Sequence, residues 1–263
     1  RAQEALRVLE EVAKAQDCPL RLSSDKFMRA RFSLYTIERE LVARLLRQDK
    51  LHLINGLYAV IDTQSLRGRS HYEVAEAVIR GGARVIQLRD KLSSKKELFP
   101  IAVGLKKLCA GHGVLFIMND YLDLALATGA DGLHVGQNDM PVKEARRLLP
   151  MDKILGCSVR TVAEATQAEA DGADYLGCGA IYATLSKGDA VVVGLERVSE
   201  VRKVTTLPVV AIGGITIENA ADVIAVGANA VAVISAILGA ASVEEATRQV
   251  IANIRQDGAR DNG

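Results

Sequence analysis

A parallel TIM-type (β/α)8 barrel preceded by a small N-terminal helical segment is the fold class this sequence predicts, and three observations predict it. From residue 57 onward, short apolar runs alternate with helix-patterned segments, giving eight strand-helix units in about 200 residues. Gly-Ala or Gly-Ala-Asp commonly stands just before an apolar run, at 82–83, 129–131, 172–174 and 227–228, which suits a helix C-cap leading into a strand. Polar residues of one chemical kind gather where the runs end, and in a parallel barrel all strand C-termini open on one face. A doubly wound open sheet is the alternative. Against it stand the number of units, the glycines after the late strands, and the lack of a G-x-G-x-x-G after the first strand.

The elements follow in order. Residues 1 to about 50 read only as helix: Ala5, Leu6, Val8, Leu9, Val12 and Ala13 make one apolar stripe. Asp17-Cys18-Pro19 breaks it, because proline disfavours helix in the residue before it. Phe27, Leu34, Leu41 and Leu45 then recur at about helical spacing, with Met28, Tyr35 and Val42 beside them. This part reads as a helical hairpin that carries no chemistry of its own. Strands are expected at 57–61, 84–88, 114–118, 132–135, 153–156, 175–178, 208–212 and 230–234. Helices between them are expected, for example, at 71–80, 94–111, 162–171 and 217–226. The expected organisation is a helical accessory segment at 1–52, a barrel at 53–257 and a tail at 258–263. Because the chain opens at Arg1 inside a helical pattern, the accessory segment is expected to be truncated.

Composition narrows the function. With 263 residues the chain can bury a sizeable core, and 49% hydrophobic with 25% charged residues is ordinary for a globular protein. A net charge of +1 gives no bulk attraction to nucleic acid or membrane. Aromatics at 4%, with no Trp, argue against a base-stacking surface. Cys18, Cys109, Cys157 and Cys178 form no C-x-x-C pair, which reads as a reduced, cytoplasmic protein. No signal peptide is evident, and the apolar stretch at 231–238 falls short of the roughly 20 residues a membrane span needs. Small-molecule partners are expected, and an oligomer is compatible with all of this.

The strand-end residues suit phosphate and a hard cation. Asp120 and Asp139 follow the third and fourth strands, and two such carboxylates can hold Mg²⁺, which keeps waters and shares phosphate oxygens. Helix N-capping is the plainer role for either Asp. Thr184, Ser186 and Lys187 follow the sixth strand and suit an anion, with a solvated surface loop as the alternative. Gly213-Gly214 after the seventh strand and Ser235 after the eighth match the phosphate site of this fold, against a simple turn at the glycines. Gln87, Arg89 and Lys91 lie on one side of the extended chain. Gln87 alone reads equally as a barrel-filling residue, whereas an Arg in a barrel mouth more often meets an anion or carboxylate. His134 stays open between a structural and a functional role, and His52 and His112 read as surface residues. Two anion sites and one metal site at one mouth imply two phosphorylated substrates, one of them a pyrophosphate whose charge needs Mg²⁺.

These residues in this order resemble the thiamine-phosphate synthase family. The matching segments are Gln87-Leu88-Arg89-Asp90-Lys91, Asn119-Asp120, the run 132–139, Gly156-Cys157-Ser158, Thr184-Leu185-Ser186-Lys187 and Gly213-Gly214-Ile215, within roughly 57–255. The resemblance implies an Mg²⁺-dependent transferase that couples hydroxymethylpyrimidine pyrophosphate to thiazole phosphate, giving thiamine phosphate and pyrophosphate. It implies Asp120 and Asp139 as Mg²⁺ ligands. Gln87, Leu88, Arg89, Asp90, Lys91, Asn119, Ser158 and Lys187 would bind the pyrimidine pyrophosphate, with Arg89, Lys187 and Ser158 carrying catalysis. Thr184, Leu185, Ser186, Gly214, Ile234 and Ser235 would bind the thiazole phosphate. The chain departs from the family pattern at Ser186, where Thr is usual, at Asp90, where Glu is commoner, and at Arg160, where His is frequent. The run 3–11 resembles part of a helical accessory region attached to some family members. Gly and Asp beside Lys187 suit the loop 188–193 to a lid over the site, and the sequence leaves open whether it closes. The alternatives are a related barrel that isomerises the thiazole phosphate and a non-catalytic regulator that binds thiamine phosphate.

Overall fold

Eight short strands pair in parallel and close on themselves in sequence order. They are β1 (Gly56–Asp62), β2 (Val85–Arg89), β3 (Leu115–Asn119), β4 (Gly132–Val135), β5 (Ile154–Val159), β6 (Tyr175–Gly179), β7 (Val209–Ile212) and β8 (Ala230–Val233). This computed structural model describes residues 1–15, 22–184 and 191–258. The helices of the accessory part are α1 (Ala2–Lys14) and α2 (Ser24–Leu51). Around the barrel run α3 (His71–Arg80), α4 (Lys95–Gly111), α5 (Leu122–Thr128), α6 (Val142–Leu148), α7 (Val162–Ala170), α8 (Gly194–Val204), α9 (Ala220–Ala225), α10 (Ser235–Leu238) and α11 (Val243–Gly258).

The strands read as continuous apolar runs because both of their faces are buried. Alternate residues supply two separate cores. Tyr58, Val60, Val85, Leu115, Ile117, Ile154, Tyr175 and Val210 fill the barrel interior. Their neighbours Ala59, Ile61, Ile86, Leu88, Phe116, Leu133 and Leu176 pack outward against the helices. The register sets Tyr58 beside Val85, Val60 beside Gln87 and Asp62 beside Arg89, so polar residues at the strand ends point inward together. Local chemistry fixes the helix starts. Ser70 with Glu73, Ser94 with Glu97, and Thr161 with Glu164 form reciprocal capping boxes.

Several strand and helix ends differ from expectation. β5 runs on through Val159 because Ser158 pairs with Gly177 and Val159 with Cys178 on β6, so Ser158 lies within a strand. Arg89 and Asn119 likewise close β2 and β3 from inside. Hydrophobic patterning registers apolarity, whereas a strand ends where its ladder partner ends. Ser94 caps α4 instead of opening it, and α9 is shorter than 217–226. Before α9, the Thr216 N–H donates to Asn219 Oδ1 at 2.8 Å, which favours a turn there.

The chain divides into two compact units, Arg1–Gln48 and Asp49–Gly263. Within the first, the buried Glu10 carboxylate accepts from Arg31 Nη2 at 2.9 Å and Lys14 Nζ at 2.8 Å. Those bonds, Lys14's foremost, hold its pKa below the usual value. Val8, Leu9 and Val12 of the expected stripe are exposed. The break at Asp17-Cys18-Pro19 and tail residues 259–263 lie outside the described residues. Among the described residues no helix is long and apolar enough to cross a membrane.

Candidate active site

The strand C-termini surround a cavity of about 350 Å³, a size that suits small ligands. Gln87, Arg89 and Lys91 reach it from the β2 end, Asn119 and Asp120 from β3, Asp139 from the loop after β4, and Ser158 from β5. Thr184, Gly214, Ile234 and Ser235 line the same cavity. Most of the expected set therefore meets at one mouth. Leu88 faces the helix layer and is fully buried there, so it does not line the cavity. Asp90 is also directed away. It accepts from the backbone N–H groups of Leu92 and Ser93, at 2.7 and 2.8 Å, and from Thr63 Oγ1 at 2.8 Å, which ties down the loop after β2. Burial of Asp90 works against its ionisation, but these hydrogen bonds outweigh it and hold the carboxyl below its usual pKa. Leu185, Ser186 and Lys187 lie outside the described residues, as do 188–190 of the loop that follows.

Arg89 is anchored by the buried Asp62 carboxylate, its neighbour on β1. The other oxygen of Asp62 accepts the Gln64 N–H at 3.0 Å. The guanidinium is thus held in place before any anion arrives, a form of preorganisation. Lys91 forms an ion pair with Asp120. Asp120 has a positive φ of 60°, and its N–H donates to the His134 carbonyl at 2.8 Å. Aspartate tolerates this left-handed geometry better than most residues, and such strain clusters at functional sites. Asp139 is oriented by the Gly136 N–H, which donates to its Oδ2 at 2.8 Å.

Asp120 and Asp139 lie close enough for each to act on the other's charge. Burial, and next the Asp139 carboxylate, push Asp120 up to about 6, with Lys91 opposing. Burial of Asp139 disfavours its charge, but the bond from Asp120, the Gly136 N–H and Lys91 outweigh that and hold it below its usual pKa. Two facing carboxylates form a donor set suited to a cation, whose charge would relieve their mutual repulsion. Among the described residues no group of three or more His, Cys, Asp or Glu is placed to hold a metal. A cation here would have to complete its shell with water and ligand oxygens.

Across the mouth, Gly213 and Gly214 have φ values of 102° and 62°. A Cβ at Gly213 would stand 2.6 Å from the Ala180 Cβ, so only glycine lets the turn approach the residue that follows β6. Beneath the mouth, Gln87 Nε2 donates to Tyr58 Oη at 2.9 Å, Tyr58 Oη meets Tyr175 Oη at 2.9 Å, and Tyr175 Oη meets His134 Nδ1 at 3.1 Å. His134 Nε2 meets Ser158 Oγ at 2.9 Å. Sequence reasoning missed Tyr58, Tyr175 and Asp62 and left His134 open. Inward parity was the available signal: Tyr58 and Asp62 share the parity of Val60, and Tyr175 shares that of Gly177.

A closed (β/α)8 barrel with its charged residues converging on one mouth defines the class as a barrel enzyme. The chain belongs to the thiamine monophosphate synthase family, whose model matches residues 57–237. It is a transferase of thiamine biosynthesis. It is similar to the thiamine-phosphate synthase of Moorella thermoacetica, 50% identical over 195 residues that cover 74% of this chain and 93% of the relative. The thiamine-phosphate synthase of Methanoculleus marisnigri is 49% identical over 74% of this chain and 92% of its own. Among solved structures, thiamine phosphate pyrophosphorylase from Pyrococcus furiosus superposes with a TM-score of 0.72 at 37% identity, covering 78% of this chain and 97% of that one. The model of the ThiD2 family matches residues 1–40.

Proposed function

We propose that this mouth couples hydroxymethylpyrimidine pyrophosphate to thiazole phosphate and releases pyrophosphate, with Mg²⁺ held by Asp120 and Asp139. The observation that carries this reading is one cavity that joins a facing carboxylate pair to the anchored Arg89 and to the Gly213-Gly214 turn. Bound there, Mg²⁺ would supply charge neutralisation to the pyrophosphate. Arg89 and Lys187 stabilise charge growing on the leaving group, and Ser158 and Asn119 orient it. The pyrimidine amino group feeds electrons toward its exocyclic methylene as pyrophosphate departs. The thiazole nitrogen then attacks that carbon, held in line by Thr184, Leu185, Ser186, Gly214, Ile234 and Ser235. Gln87 and Lys91, which line the cavity, would contact the pyrimidine pyrophosphate. Of the residues the resemblance implied as contacts, Leu88 and Asp90 support the site from outside the cavity.

In this reading residues 53–257 form the catalytic barrel, 1–52 an accessory segment and 258–263 a tail, acting on small molecules in the cytoplasm. The test is an assay for thiamine phosphate from both substrates, run with Mg²⁺ and with EDTA. Mg²⁺-dependent product is expected. Lys187→Ala and Asp120→Ala are expected to lower turnover by about 10² or more while remaining folded. Near-normal turnover in both purified variants refutes the assignment, and no product from the wild-type protein refutes the coupling itself.

A further inference from the structure

The polar residues buried beneath the mouth form a continuous chain, and proton counting gives that chain a direction. Among the described residues, Tyr58 Oη hydrogen-bonds only with Gln87 Nε2 and Tyr175 Oη, and Tyr175 Oη only with Tyr58 Oη and His134 Nδ1. Burial raises both phenols well above the usual range, so each keeps its one proton. The Gln87 amide nitrogen can only donate. Tyr58 must then give its proton to Tyr175, and Tyr175 must give its own to His134 Nδ1. A neutral imidazole with Nδ1 accepting carries its proton on Nε2, which donates to Ser158 Oγ at 2.9 Å. Having accepted that bond, the Ser158 hydroxyl is left to donate into the mouth cavity it lines.

We propose that Gln87, Tyr58, Tyr175 and His134 act as a one-way hydrogen-bond chain that makes Ser158 a donor to the pyrophosphate. On this view Tyr58 and Tyr175 are positioning residues. This rests on the coupling reading above. It deepens that reading by linking the two ends of one substrate. Gln87 Oε1 has no hydrogen-bond partner among the described residues, and Gln87 lines the mouth. An aminopyrimidine that donates N–H to Oε1 holds the amide with Nε2 toward Tyr58, which keeps the chain in the direction that serves the leaving group. The glycines around the ring fit this role: a Cβ at Gly177 would stand 2.9 Å from His134 Cε1, and one at Gly156 would overlap the Tyr175 ring.

Long-range ¹⁵N–¹H correlation on ¹⁵N-histidine-labelled protein tests the direction without substrate. The His134 signals are assigned by their loss in His134→Gln. The expected wild-type tautomer is Nε2–H. In Gln87→Glu the new carboxylate, confirmed ionised by its infrared band, must accept from Tyr58, and the expected tautomer inverts to Nδ1–H. A wild-type Nδ1–H tautomer, or the same tautomer in both proteins, overturns the proposal. In turnover, Tyr58→Phe is expected to lower kcat by about 10-fold in the wild-type background and to add nothing to Ser158→Ala. An equal loss in both backgrounds also overturns it. Absence of product from the wild type would instead refute the coupling reading, because the tautomer measurement needs no reaction.

Discussion

Replacing Asp120 by Asn removes one of two carboxylates that the fold forces together. Asn is the right substitute because it tolerates the positive φ of 60° at this position as Asp does. Burial and the facing Asp139 lift Asp120 from its ordinary 3.8 to about 6. At ~1.4 kcal/mol for each tenfold change in proton affinity, that corresponds to about 3 kcal/mol. Solvent screening at the mouth and the opposite displacement of Asp139 reduce the expected net effect to about 1 kcal/mol. The sign follows from linkage. The folded protein binds this proton more tightly than the unfolded chain, so stability is lost as pH rises between about 4 and 6. Asp120→Asn is therefore expected to gain about 1 kcal/mol at pH 8 in EDTA, and less at pH 4, by urea unfolding. Millimolar Mg²⁺ is expected to stabilise the wild type and not the variant, since a ligand that binds only the folded state adds stability. A variant no more stable than wild type at pH 8, or one equally stabilised by Mg²⁺, refutes the carboxylate-pair reasoning.

Two further outcomes are expected. Gly156→Ala puts a Cβ against the Tyr175 ring and 2.5 Å from His134 Nδ1. It should cost about 1–3 kcal/mol and lower Tm by roughly 5 °C in a thermal melt; an unchanged Tm would show that the barrel interior has slack. Burial raises Cys109 to about 12, Cys157 to about 11 and Cys178 to about 12. With so little thiolate at pH 8, these three thiols should react with a thiol reagent only after unfolding, and rapid labelling of the folded protein would contradict their burial.

The barrel was legible because its pattern is local. Apolar runs, capping residues such as Ser70 and Thr161, and the glycines before strands all act within a few residues of where they stand. The strand-end chemistry was legible for the same reason, since each of Arg89, Asn119, Asp120, Asp139 and Ser158 closes or follows a run that can be counted. The sequence by itself determined that these groups lie at the ends of parallel strands, and it identified the family. The tertiary structure decided which of them face one another. Leu88 and Arg89 are adjacent in the chain, yet the pleat sends one to the helix layer and the other to the mouth. Asp62 holds Arg89 because β1 and β2 are in register, and Tyr58 meets Tyr175 across 117 positions because the barrel closes. Those contacts depend on ladder register and closure, properties of strand pairs that no single stretch of sequence encodes.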